Sequence, residues 1–229
     1  MTTDVFRREF AIKPTLAILF ATSFAYVEAV VVVYLRNMIY PAGFAFPLKV
    51  IPPELITVEL LREAATMVML VAVALLCGRR RWERFGYFIA IFGMWDIFYY
   101  VWLKATIDWP GSFLEWDVLF LIPLPWIGPV IAPLLISLLM TICGFIIIGR
   151  YAQGRDFSPG MISWVLAAVA TALILLSFMR DTDATLHQQM PQPYWYPALM
   201  AGLMLYIVAF VMAYARSARV NQPKSSISP

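Results

Sequence analysis

The chain has 229 residues, of which 62% are hydrophobic and only 14% are charged; its formal net charge is +3 and its mean hydropathy is +0.78. Soluble domains carry about 45–50% apolar and about 25% charged residues. The composition therefore excludes an ordinary soluble domain and predicts one integral membrane domain over residues 1–229. The lipid bilayer is the first expected partner, and the small net charge gives no indication of a nucleic-acid partner.

Six stretches of the sequence are long and apolar enough to cross a bilayer. About 20 mostly apolar residues are needed, because a rise of about 1.5 Å per residue must cover about 30 Å of hydrocarbon. The predicted fold is an all-α bundle of six transmembrane helices. The spans are expected at about residues 14–35, 58–78, 85–107, 127–148, 161–179 and 197–215, with a polar tail over residues 216–229.

Prolines interrupt the long charge-free stretch that contains the fourth span. Proline removes a backbone donor and disfavours helix in the residue before it. We expect a short helix or re-entrant segment over Phe113–Ile122, a break at Pro123–Pro125, and the fourth span from about Ile127. Irregular backbone of this kind is stable at membrane depth only where protein or water covers it.

The basic residues predict the orientation of the bundle. With six spans both termini lie on one side, and the segments on that side hold 12 of the 17 lysines and arginines. The positive-inside rule therefore places both termini in the cytoplasm, in a bacterial-type plasma (inner) membrane. The 12 residues are Arg7, Arg8, Lys13, Arg79, Arg80, Arg81, Arg84, Arg150, Arg155, Arg216, Arg219 and Lys224.

Acidic residues have the opposite distribution, since ten of the 14 lie within spans or on the other side. Glu28 lies about seven residues below the end of the first span, roughly 10 Å deep. Asp96 lies near the middle of the third span. Ionisable groups at such depth cost about 2.5–3.5 kcal/mol on insertion scales and normally face the bundle interior with a partner.

Helical spacing identifies candidate partners for these acids. On the third span, positions i, i+4 and i+8 are Asp96, Tyr100 and Lys104. One face at the outer end of the second span carries Glu59, Arg62, Glu63 and Thr66. Two interpretations follow. Glu28 or Asp96 pairs with Arg62 or Lys104 only to hold the helices together, or Glu28, Glu63 and Asp96 line an outward polar cavity that binds a cation or relays protons.

The loop between the third and fourth spans is the other dense polar segment. Its tryptophans, Trp109 and Trp116, are typical of residues at a membrane–water interface. In a second interpretation, Glu115 and Asp117 belong to a lid over the mouth of the cavity.

Three classes of function remain open. The sequence has no GxSxG, Walker A or dinucleotide motif and a single histidine, His187, so it predicts no cofactor and no catalytic residue, and leaves a metal site undetermined. The favoured expectation is a transport- or conduction-type protein that handles a cation, a proton or a small polar solute. The first alternative is a non-catalytic subunit of a larger membrane complex, or a homo-oligomer. The second is an outer-face membrane enzyme that uses Glu63, Asp96 and Tyr100 as acid–base groups.

Overall fold

The computed structural model describes residues 2–41, 43–49 and 52–220. Within these residues it contains seven helices and two strands, and six of the helices are long and apolar enough to cross a membrane. The expected six apolar helices are thus confirmed. In chain order the elements are α1 (Thr2–Ile39), α2 (Pro53–Cys77), α3 (Arg81–Ile107), β1 (Trp116–Phe120), β2 (Trp126–Pro129), α4 (Ile131–Ala152), α5 (Met161–Met179), α6 (Thr182–Leu186) and α7 (Tyr196–Val220).

Several helices extend beyond the predicted spans. The second begins at Pro53 rather than near residue 58, because the fixed φ of proline suits the first helical position and Glu54 lies in the first turn, where a negative charge is favourable. The last helix continues to Val220, so residues 216–220 of the expected polar tail are helical. The rest of that tail, residues 221–229, lies outside the described residues.

Residues 113–122, expected to form a short helix or a re-entrant segment, contain no helix, so the expected helix is wrong. Strands β1 and β2 form an antiparallel hairpin in which Trp116 lies opposite Pro129 and Phe120 opposite Trp126. A short apolar run is compatible with either a helix or a strand, and this one is rich in aromatic and β-branched residues. The prolines at 123 and 125 lie in the connection between the strands, and the fourth long helix begins at Ile131 rather than near Ile127.

Helix α3 lies at the centre of one group and contacts α1, α2 and α4, whereas α5 pairs with α7. Small residues allow the closest of these contacts. A β-carbon at Gly93 would collide with the carbonyl of Ser137 and the hydroxyl of Thr141, and one at Gly144 would collide with Gly86. Close approach through small residues is the usual way in which helices associate in membranes. It brings Asp96 of α3 against Ser137 of α4.

The bundle has two chemically different ends. The hairpin end carries β1, β2 and α6, and Thr182 at the start of α6 donates to the carbonyl of Pro125 at 2.9 Å. The arginine-rich end carries Arg80, Arg81, Arg150, Arg155, Arg216 and Arg219. At this end Arg80 forms an ion pair with Asp156, and the amide of Ser158 donates to the hydroxyl of Ser217 at 2.8 Å.

Candidate functional site: a polar cavity at the hairpin end

A cavity of about 150 Å³ lies between α1, α2, α3 and β1 at the hairpin end. A buried water molecule needs roughly 10–15 Å³ of such space, so the cavity has room for several waters or a small solute. Apolar side chains line part of it. The side chains of the lining that carry a polar atom are those of Glu28, Arg36, Tyr40, Glu59, Arg62, Glu63, Thr66, Trp95, Asp96, Tyr99, Tyr100 and Asp117.

Helical periodicity explains why these side chains meet. Residues separated by three, four or seven positions share one face of a helix. On α1 the shared face carries Glu28, Val32 and Arg36. On α2 it carries Glu59, Arg62, Glu63 and Thr66, and on α3 it carries Asp96, Tyr99 and Tyr100. Strand β1 completes the wall, with Asp117 buried to 2% exposure.

Arg62 is shared between two carboxylates of the cavity. Its guanidinium forms ion pairs with Glu28 on α1 and with Glu59 on its own helix, and its Nε donates to Glu59 Oε2 at 2.8 Å. The hydroxyl of Thr66 donates to Glu28 Oε1 at 2.8 Å. The ion pair of Glu28 with Arg62 is one of the pairings expected from the sequence. It joins α1 to α2 inside the bundle.

Arg36 forms the second ion pair, with Asp117 of β1. The distance between Arg36 Nη2 and Asp117 Oδ1 is 2.7 Å, and Asp117 Oδ1 also accepts the amide hydrogen of Val118 at 2.9 Å. The guanidinium carbon of Arg36 lies 4.1 Å from the ring centroid of Phe44 and 3.8 Å from that of Trp109, which is the geometry of cation–π contacts. Burial raises the pKa of Asp117 above its ordinary value, although the Arg36 guanidinium acts in the opposite direction.

Two carboxyl groups of the cavity, those of Glu63 and Asp96, form no ion pair with a described residue. Both oxygens of Glu63 accept the amide hydrogen of Leu121, each at 3.0 Å, and Asp96 Oδ2 accepts from the hydroxyl of Ser137 at 2.7 Å. No lysine or arginine of the described residues forms an ion pair with either group. The cavity therefore holds five carboxyl groups against two guanidinium groups.

Two buried donors of the cavity lining are also unpartnered. Arg36 Nη1 and Trp95 Nε1 have no hydrogen-bond partner within the described part of the chain, and their residues are 7% and 8% exposed. Buried donors are normally satisfied, and an unsatisfied one costs about 1–3 kcal/mol. Both donor atoms are themselves shielded from solvent, so water or a hydrogen-bond acceptor of a solute would reach them only after the lining side chains move.

The polar lining does not continue toward the arginine-rich end. One turn below Glu28 the buried face of α1 carries Ala25 and then Ala21, and below Thr66 that of α2 carries Leu70 and then Ala74. On α3 the buried residues from Gly86 to Gly93 are small, apolar or aromatic as well, and the next buried carboxyl group, that of Glu83, lies in the first turn at the arginine-rich end. The cavity thus ends on a packed apolar floor.

The structure separates the sequence-predicted residues into two groups. Seven of them line the cavity together: Glu28, Glu59, Arg62, Glu63, Asp96, Tyr100 and the lid candidate Asp117. Lys104 and Glu115 do not. Lys104 Nζ pairs with Asp108 Oδ1 at 2.7 Å at the surface, and Glu115 Oε1 accepts the amide hydrogen of Gly111 at 3.0 Å. Asp96 therefore bonds to Ser137 instead of Lys104.

Sequence reasoning missed five contributors to this cavity: Arg36 as the partner of Asp117, Tyr40, the free donor of Trp95, the half-buried Tyr99, and Ser137 as the donor to Asp96. The spacing of Asp96 and Tyr99 at i and i+3 could have indicated Tyr99. Contacts between distant segments leave no such signal in a single sequence.

Among the described residues, no three histidine, cysteine, aspartate or glutamate side chains are grouped so that they could hold a metal ion. His187 lies outside the cavity, at the surface, with Nδ1 at 3.5 Å from Asp183 Oδ1. Comparison with known proteins adds no family to this geometry: no protein-family model, curated protein or solved structure matches the chain.

Proposed function

We propose that this chain is a multi-pass protein of the plasma (inner) membrane with both termini in the cytoplasm, and that its hairpin-end cavity faces outward. In this proposal the cavity binds a proton or a small polar solute with a positively charged group, as the binding step of transport. The orientation is supported by the arginine-rich end, because positively charged loops stay preferentially on the cytoplasmic side.

The excess of carboxyl groups carries the proposal. Arg62 balances part of the charge of Glu28 and Glu59, and Arg36 balances Asp117, but Glu63 and Asp96 have only neutral donors. Like charges in a medium of low dielectric constant repel strongly. Binding of protons or of a cationic group relieves that repulsion, which gives the cavity a preference for positive charge.

The arrangement of ligands favours a proton or an organic cation over a chelated metal ion. The carboxyl groups of the described residues are spread around the cavity and do not form a three-ligand group. The free donors of Arg36 and Trp95 would bond to oxygen atoms of the same solute. A small molecule with an ammonium group and a hydroxyl or carboxyl group matches this combination.

The apolar floor favours transport by a conformational change over conduction through an open pore. A continuous aqueous pathway needs polar side chains or exposed backbone groups along its length. Below Glu28, Thr66 and Trp95 the buried faces of α1, α2 and α3 pack against each other without such a lining. A bound solute would reach the other side only after these helices move relative to one another.

A binding experiment with matched ligands and matched variants tests the proposal. Thermal unfolding of the detergent-purified protein is followed with ethanolamine, tetramethylammonium, or ethylene glycol, which resembles ethanolamine in size but has no positive charge. We expect at least one of the two cations to raise the midpoint, because a ligand that binds only the folded state stabilises it. Ethylene glycol should have no effect.

Variants then locate the binding site. Glu63→Gln and Asp96→Asn should abolish the stabilisation, whereas Glu54→Gln, an exposed position on the same helix as Glu63, should retain it. No stabilisation by either cation, or equal stabilisation of the Glu63→Gln protein, would contradict the proposed site. Uptake of the stabilising cation into proteoliposomes then separates transport from binding alone.

The orientation has its own test. In a Cys77→Ser/Cys143→Ser background, a single cysteine replaces exposed Ser112 at the hairpin end or exposed Gln153 at the arginine-rich end. A membrane-impermeant maleimide should label the Ser112→Cys protein in intact cells, and the Gln153→Cys protein only after permeabilisation. The reverse pattern would contradict the orientation.

A further inference from the structure

A second cavity, of about 300 Å³, lies between the α3–α4 pair and the α5–α7 pair. Its wall is apolar and includes Trp82, Ile136, Ile147, Ala167 and Tyr206. It reaches the surface of the bundle, since Trp164 in its wall is 47% exposed. This crevice shares no residue with the polar cavity at the hairpin end.

The length of the crevice matches one leaflet of a bilayer. Ile136 and Ile147 mark its extent along α4, and eleven residues of helix correspond to about 16 Å. Half of a hydrocarbon core of about 30 Å is about 15 Å. The end marked by Ile147 lies at the arginine-rich end of the bundle, and the end marked by Ile136 lies next to Ser137, which donates to Asp96 near the middle of α3.

Two arginines flank the crevice at the arginine-rich end. The guanidinium carbon of Arg81 lies 5.5 Å from the ring centroid of Trp82, and that of Arg216 lies against Gly160, beside Pro159 of the wall. Both arginines are exposed, and no acidic side chain of the described residues pairs with either. Trp82 and Trp164 lie at the same level, where tryptophan is favoured at a membrane–water interface.

We propose that the crevice binds one acyl chain of an anionic phospholipid, whose phosphate lies between Arg81 and Arg216. Apolar lining and leaflet length fit the chain, and two unpaired guanidinium groups at the interface fit the phosphate, since arginine binds phosphate through paired hydrogen bonds. The acyl chain fills the crevice, where the wall side chains otherwise have no atoms to contact. It thereby connects the α3–α4 pair to the α5–α7 pair.

Lipid titration monitored by native mass spectrometry of the detergent-purified protein tests the charge requirement. Phosphatidylglycerol should bind more tightly than phosphatidylcholine with the same chains. An Arg81→Gln/Arg216→Gln protein should bind phosphatidylglycerol roughly 25-fold more weakly, about fivefold for each arginine. The control is Arg155→Gln/Arg219→Gln, which removes the same charge from exposed positions of the same end and should bind almost as well as the unaltered protein.

A second pair of variants tests the acyl-chain site. Ala167→Phe fills the crevice, whereas Ala168→Phe makes the same change at the next residue, which is exposed. Only Ala167→Phe should lower the binding of both lipids. Equal binding of the two lipids would overturn the proposal, and so would equal effects of the two phenylalanine substitutions. A dimer that Ala167→Phe abolishes would also overturn it, because a second copy of the protein would then occupy the crevice.

Discussion

Arg36 Nη2 lies 2.7 Å from Asp117 Oδ1, and this buried ion pair joins the end of α1 to the first strand of the hairpin. A second link to the same region is the hydrogen bond from the amide of Leu121 to Glu63. The hairpin is thus held over the polar cavity by two of the carboxyl groups that line it. Any change in the charge of these groups is expected to alter how firmly the hairpin is held.

Removal of Arg36 should make stability depend more strongly on pH. The pKa of Asp117, which burial already raises, should rise further in Arg36→Gln because the guanidinium that lowers it is gone. When the folded-state pKa of an acid exceeds its unfolded-state value, the stabilisation is fully present below the unfolded value and is lost as the pH rises through the folded value. Thermal unfolding in detergent should therefore show a midpoint that falls between mildly acidic and neutral pH.

The partner variant provides the control for this pH dependence. Asp117→Asn removes this titrating group, so its midpoint should lack the part of the slope that Asp117 causes, although the change leaves an arginine buried and unpaired at a cost of about 3–5 kcal/mol. The double variant should be less destabilised than the sum of the single variants. A pH profile of Arg36→Gln parallel to that of Asp117→Asn would show that Asp117 does not titrate as inferred.

Thr66 should contribute to stability through its bond to a charged group. Its side chain is 1% exposed and donates to Glu28 Oε1, so Thr66→Val leaves a buried carboxylate with one donor fewer. The expected loss is about 1.5–3 kcal/mol, the usual contribution of a hydrogen bond to a charged partner. Thr57→Val on the same helix is the control, because exposed Thr57 donates only to the carbonyl of Pro53. Equal effects on the unfolding midpoint would contradict the role of Glu28.

The membrane-spanning architecture and the level of the site follow from local properties of the sequence. Hydropathy over about 20 residues identifies each apolar helix because composition alone decides whether a segment tolerates lipid. Counting residues from the helix ends places Glu28, Glu63 and Asp96 in the same half of the bundle, and the structure brings them into one cavity. The sequence also indicated Arg62 as a candidate partner of Glu28, and the two form an ion pair.

Pairings that depend on tertiary structure were not predictable. Each four-residue step on a helix adds about 40° of rotation, so Lys104 is turned about 80° from Asp96 and points to the surface. Asp117 and Arg36 are 81 residues apart, and nothing in the sequence relates them. The hairpin was not predictable either, because its short apolar strands have no decisive periodicity.

Close packing of α3 against α4 should make Gly93 intolerant of a side chain. A β-carbon at this position collides with backbone and hydroxyl atoms of Ser137 and Thr141, so Gly93→Ala forces the helices apart and should cost about 1–3 kcal/mol. Gly149→Ala on α4 is the matched control, because a β-carbon there meets nothing within 4 Å. That change should be neutral or stabilising by up to about 1 kcal/mol, since alanine favours helix over glycine. Similar midpoints for the two variants would contradict the close contact.

Arg62 and Lys104, the two basic residues expected to pair with the acids inside the bundle, should contribute very differently to stability. Arg62→Gln leaves Glu28 and Glu59 without their shared cation, and loss of one partner of such a buried pair costs about 3–5 kcal/mol. Lys104→Gln removes only a surface pair with Asp108, whose pKa the ammonium group lowers through a hydrogen bond. Exposed pairs contribute little. The unfolding midpoint of Lys104→Gln and its response to the stabilising cation should therefore equal those of the unaltered protein, whereas a large loss of either would place Lys104 in the site.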